Sequence, residues 1–101
     1  MKSLDEINDA FCSNIKRGSI IELIIYPGFE VNYDNIRKII EVKPAKKLDF
    51  GMPRPELKGT LLEYSNWGNT DGHLEFALGD YYFSLKCSQI LDFKVLRNIK
   101  D

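Results

Sequence analysis

The sequence predicts an α+β domain: an N-terminal helix packed on an antiparallel, strongly curled sheet or small barrel of about five to six strands. Three observations predict it. The stretch His73 to Lys86, HLEFALGDYYFSLK, alternates in hydrophobicity around Gly79-Asp80, the pattern of a hairpin closed by a two-residue turn. Ser3 and Glu6 form an S-x-x-E capping box ahead of an apolar stripe with helical spacing. From Gly59 onward, short apolar runs alternate with turn residues, as in a β meander. The chain has 101 residues, the size of one domain, read as spanning 1–101. Within it, 1–18 reads as the helix, 19–43 as the first strands, 44–58 as a Pro-rich loop and 59–97 as the meander.

The helix is carried by Leu4, Ile7, Phe11 and Ile15, supported by Ala10. Lys16 and Arg17 are expected in its last turn, where the helix dipole favours cations, and Gly18 is a natural stop. Ser19 to Tyr26, SIIELIIY, is a β-branched run ended by Pro27-Gly28. Ile21, Leu23 and Ile25 are expected to face the core, with Ile20, Glu22 and Ile24 on a partly covered opposite face. Two readings fit residues 29–43. Phe29–Tyr33 and Ile36–Lys43 form strands turning at Asp34-Asn35, or Asp34 caps a short helix carrying Ile36, Ile39 and Ile40. β-Branched content and short length favour the strands. Pro44, Gly51, Pro53 and Pro55 mark the following loop, and a loop of that length in a compact domain tends to be mobile or functional.

In the meander, Thr60–Ser65 reads as a strand with Leu62 and Tyr64 inward, and NWGNTDG (66–72) as a turn-rich connection. In the 73–86 hairpin a II′ turn at Gly79-Asp80 sets Leu78 opposite Tyr81, Phe76 opposite Phe83 and Leu74 opposite Leu85, all on one face. Ala77, Tyr82, Glu75, Ser84, His73 and Lys86 then share the other face. A last strand near Leu91–Leu96 presents Leu91, Phe93 and Val95. With Gly59 opening the meander and KCSQILDFKVL as closing strand, the element order resembles the Sm-like and SH3-like small β-barrels. That resemblance implies a nucleic-acid or ribonucleoprotein role.

Composition narrows the function classes. Apolar residues make up 44% and charged residues 29%, an ordinary globular balance that argues against disorder. No apolar run approaches the length of a membrane span. The acidic, polar start MKSLDEINDAF argues against a secretory leader, so a cytoplasmic location is expected. Cys12 and Cys87 belong to no CxxC pair; one disulfide between them is an alternative, and two buried free thiols of a reducing compartment is the favoured reading. With one histidine, neither a metal site nor a cofactor is expected.

Catalytic sets are thin, and no enzyme activity is expected. His73, with Glu75 and Asp71 nearby, is the sole histidine-based candidate for acid/base chemistry, and no glycine-rich loop opens a helix to hold phosphate. Charge is segregated although the net is −1. The basic stretch holds Lys43, Lys46, Lys47, Arg54 and Lys58, residues suited to phosphate contacts in the nucleic-acid reading. The meander instead is acidic and aromatic. Trp67, Asp71, Glu75, Asp80 and Tyr82, supported by Tyr64 and Glu63, are the expected partner-binding residues. Aromatic anchors dominate interface energetics, and carboxylates steer a basic partner. A compact domain with carboxylates and aromatics but no catalytic set is similar in general character to small bacterial immunity and antitoxin proteins. The similarity implies a cognate basic toxin, such as a nuclease, as partner.

Overall fold

The computed structural model describes residues 2–46, 54–66 and 71–97. Helix α1 (Leu4–Asp9) is capped at Ser3, whose Oγ accepts the Glu6 N–H at 3.2 Å. The Glu6 carboxylate in turn accepts from the Ser3 N–H, completing the capping box. The helix does not reach Gly18. Ala10–Asn14 widens into a π turn and Ile15 is already extended, so Lys16 and Arg17 lie beyond the helix rather than in its last turn. The apolar stripe survives the change, because Ile7 and Phe11 are both fully buried.

Seven strands follow among the described residues: β1 (Ile20–Ile25), β2 (Phe29–Asp34), β3 (Ile39–Pro44), β4 (Glu56–Ser65), β5 (His73–Leu78), β6 (Tyr81–Lys86) and β7 (Ile90–Arg97). They form one curled sheet in the order β2-β3-β6-β5-β4-β1-β7. The count exceeds the expected five to six, since residues 29–44 contribute a full hairpin. Nor is the sheet purely antiparallel: β3 and β6 run parallel. Every other neighbouring pair is antiparallel.

The inner face of the half-barrel is the core. Ile21, Leu23 and Ile25 of β1 are fully buried and alternate with half-buried Ile20, Glu22 and Ile24, as the strand period requires. In the β5–β6 hairpin the expected register holds residue for residue, from Leu78 opposite Tyr81 to His73 opposite Lys86. Gly79 has φ +61° while Asp80 keeps negative φ, consistent with the II′ turn. Phe76 and Phe83 stack with centroids 5.0 Å apart, and Phe11 reaches down from the π turn to within 6.4 Å of Phe76 and 5.1 Å of Phe93. Full burial of a side chain of this size stabilises by about 1.5–3 kcal/mol, so Phe11, with Ile7, ties the helical segment to the sheet.

Residues 29–44 take the hairpin form, with Asn35–Lys38 as the turn. Asp34 does cap, but a turn: its Oδ1 accepts from the N–H groups of Ile36 and Arg37, both at 3.0 Å. The Pro-rich loop is shorter than expected, since β4 begins at Glu56 and Lys58 lies within the strand. Gly59 is mid-strand and does not open it. A Cβ there would meet Phe83 Cζ at 2.9 Å, so glycine lets the stacked rings lie against the β4 backbone. One further correction concerns Leu62. A bulge between Leu61 and Glu63 leaves it unopposed in the ladder, so Leu61 is buried and Leu62 is exposed, while Tyr64 returns to the inner face.

Candidate functional site

Across six strands the outer face of the sheet runs Arg97, Ile20, Thr60, Ala77, Tyr82 and Ile39 in successive pairings, a row that is largely apolar between the Arg97 end and Ile39 and is interrupted by Thr60. Tyr82 is 59% exposed and Leu62 38%, high values for large apolar groups, on a face that no described element covers. Beside that row lies an acidic one. The β4–β5 ladder sets Glu63 directly opposite Glu75, both on the solvent side. Like charges directly opposite each other destabilise a sheet. Among the described residues the relief is weak: an Arg17 Nη2 lies 3.8 Å from Glu63, and His73 Nε2 lies 3.8 Å from Glu75.

These residues border a groove produced by the strand order. β3 and β6 are joined by one bridge, Ile39 opposite Tyr82, where the Tyr82 N–H donates to the Lys38 carbonyl at 3.0 Å. Beyond it the strands part, leaving a groove of ≈ 500 Å³ whose lip is formed by Ile39, Glu41, Leu62, Glu75, Tyr82 and Ser84. A second hollow of ≈ 490 Å³ continues along the seam past Val42 and Ser84 to His73, Lys86 and Gln89.

Of the expected partner-binding residues, Glu75 and Tyr82 thus line the groove, and Glu63 stands behind Glu75 on the neighbouring strand. Asp80 sits at its closed end in the β5–β6 turn, with Lys38 Nζ 3.6 Å away. Asp71 lies towards the open end, but its carboxylate is engaged by Ser88, from the N–H at 2.9 Å and the Oγ at 2.6 Å. Tyr64 points inward, its hydroxyl donating to Asn8 Oδ1 at 3.3 Å and accepting from Asn66 Nδ2 at 3.2 Å. Trp67 lies outside the described residues.

The basic set is not drawn together in the same way. Lys43 stands on the outer side of β3, 3.9 Å from Glu41. Lys58 stands on β4 opposite Glu22, three strands along the sheet from β3. Lys46 and Arg54 are exposed at the two ends of the intervening segment, and Lys47 lies outside the described residues. His73 is exposed at the start of β5. With Asp71 committed to Ser88, its nearby carboxylate is Glu75.

Among the groups with perturbed ionisation, Arg37 reaches the groove lip: Asp34 and then Glu41 raise its pKa, and its Nη2 lies 3.0 Å from Glu41. The others lie away from it. The backbone N–H of Arg37, then its guanidinium, hold Asp34 below the usual carboxylate range. The Lys2 ammonium, hydrogen-bonded to Asp92, does the same there. Burial, reinforced by the charge of Asp71, pushes the Cys87 thiol up to about 12. That thiol is therefore neutral and inert at physiological pH. Cys12, expected to be buried, is instead exposed, because it lies on the outer side of the π turn that buries Phe11.

The sequence reading missed Ile39, Glu41, Leu62 and Ser84. Ser84 was legible as outward-facing from the hairpin register. The others depend on a strand pairing across more than forty residues of sequence and on a bulge, neither of which leaves a local signal. Among the described residues, no helix is long and apolar enough to cross a membrane. The chain matches no family model, no curated protein and no solved structure.

Proposed function

We propose that the protein is a non-catalytic protein-binding module whose outer sheet face receives a basic partner. In its most concrete form it is an immunity- or antitoxin-type inhibitor that covers a basic toxin. The observation that carries this reading is the facing pair Glu63–Glu75, set beside exposed Tyr82 and Leu62 on the lip of the groove. A free protein gains nothing from two opposed carboxylates next to uncovered apolar surface. A partner bringing a Lys or Arg between them would neutralise both, while Tyr82 and Leu62 supply the desolvated anchor that interfaces use.

The test compares wild type with the double variant Glu63→Lys, Glu75→Lys as bait in quantitative capture from native lysate. Both baits are first checked for folding by circular dichroism. The expected result is a basic protein retained by wild type and lost from the variant, with an association rate that drops about tenfold or more on charge reversal and falls steeply with salt. An identical retained set on the two baits would overturn the assignment of this face.

A further inference from the structure

We infer that the open half of β6 is a strand-addition site, taking one extended partner segment whose side chains alternate basic and apolar, and this rests on the partner-binding reading above. The seam between β3 and β6 lies inside the sheet rather than at its rim. β5 and β6 are paired along their full length, whereas among the described residues the other side of β6 carries only the Ile39–Tyr82 bridge. Main-chain groups alternate in direction along a strand. Because the Tyr82 N–H points across the seam to Lys38, the N–H and C=O of Ser84 point the same way, into the groove. At the far end the Lys86 N–H is taken by Gln89 Oε1 at 2.9 Å. The unfilled hydrogen-bonding register is therefore short and centred on Ser84.

The walls set the chemistry of the occupant. A strand laid along this edge would direct alternate side chains to opposite faces of the sheet. Those on the outer side meet Glu75, with Glu63 behind, and Glu41, whose carboxylate is already paired with Arg37 Nη2 at 3.0 Å and lies 3.9 Å from Lys43, so the less compensated charge is that of Glu75 and Glu63. Those on the inner side meet Val42 and Leu85, both part of the apolar interior. Basic outward and apolar inward is thus the complementary pattern. Lys86 and His73 at the mouth confine the basic preference to the inner half of the groove. Main-chain pairing supplies affinity and alternate side chains supply selectivity, as in other β-augmentation sites.

The experiment titrates the ¹⁵N-labelled full chain with the capped peptide acetyl-Lys-Val-Lys-Val-Lys-amide, up to about 5 mM to reach weak affinities. Two further probes are the same peptide N-methylated at its central lysine and the acidic counterpart acetyl-Glu-Val-Glu-Val-Glu-amide. Amide shifts confined to 39–43 and 82–86 are expected, with hydrogen exchange at Ser84 slowed about tenfold or more. Neither control peptide should produce them. Ser84→Pro, which removes the seam N–H but leaves the β5 ladder, should abolish binding; the methylated peptide makes the same point on unaltered protein. Equal binding of the methylated peptide, shifts elsewhere or no binding would overturn strand addition. So would protection of Ser84 in peptide-free protein that grows with protein concentration, which would make a second copy the occupant. If the peptide fails while the Glu63→Lys, Glu75→Lys bait still loses a basic protein, the face stands and strand addition is wrong. If the two baits capture the same proteins, the partner reading itself fails.

Discussion

Reversing one carboxylate of the facing pair, Glu75→Lys, should stabilise the isolated protein while weakening its binding. Side chains directly opposite in an antiparallel ladder have Cβ atoms about 4.5–5.5 Å apart, so the charges sit roughly 6 Å from each other. In water this separation corresponds to about 0.7 kcal/mol, and screening at physiological salt halves it to about 0.3 kcal/mol. Exchanging repulsion for attraction doubles the change, giving a gain of about 0.7 kcal/mol, inside the range of measured cross-strand pairs. For a domain of this size that raises the thermal midpoint by roughly 3–5 °C. Glu75→Gln removes the repulsion alone and should give about half. Thermal melts monitored by circular dichroism at low and at molar salt provide the assay, because concentrated salt should erase most of the difference. A lysine variant as stable as wild type or less so, at low salt, would refute the reasoning. Arg17 and His73 would then already be offsetting the pair.

Two further outcomes probe the scaffold. Gly59→Ala forces a methyl to 2.9 Å from Phe83 Cζ and 3.1 Å from Phe76 Cβ, atoms fixed by ring stacking. Overpacking of this kind costs about 1–3 kcal/mol, so urea denaturation should show a clear loss, and an unchanged midpoint would mean the rings do not rest on β4. With iodoacetamide near neutral pH, mass spectrometry should find one adduct on native protein, at exposed Cys12, and a second only in denaturant. Because the Cys87 thiol has its pKa raised in the fold from 9.0 to about 12, its contribution to stability is intact below pH 9.0 and is lost as the pH climbs towards 12. In a Cys12→Ser background, Cys87→Ala should flatten that alkaline loss.

Local chemistry made much of the fold legible. The β5–β6 register followed from a two-residue turn and strict alternation, and the start of α1 followed from Ser3 and Glu6. β1 followed from four isoleucines and a leucine bounded by glycine and proline. What escaped the sequence was set by tertiary packing. The π turn at Ala10–Asn14 carries Phe11 onto Phe76 and Phe93, contacts with residues far along the chain. The bulge at Leu62 shifts the inward parity of β4 in mid-strand, so an alternation read back from Tyr64 put Leu62 inside. Pro53 and Pro55 suggested a loop, yet Leu57, Gly59 and Leu61 already face the core. At the candidate site, Glu75 and Tyr82 were visible as neighbours on one hairpin face. That a parallel strand would bring Ile39 and Glu41 beside them was not, because nothing local encodes a pairing between residues 39 and 82.

The position of β1 has a consequence for the chain as it is made. This isoleucine-rich strand lies between β4 and β7, so one of its edges finds a partner only after residues 56–60 emerge, and the other only after residues 90–97 do. Until then it is a nascent, apolar strand with bare hydrogen-bonding groups, the sort of segment that chaperones hold and that aggregates when they do not. Cutting the chain before β7 would strip one flank from the most buried strand of the sheet and leave a polypeptide that sticks to itself rather than a smaller domain.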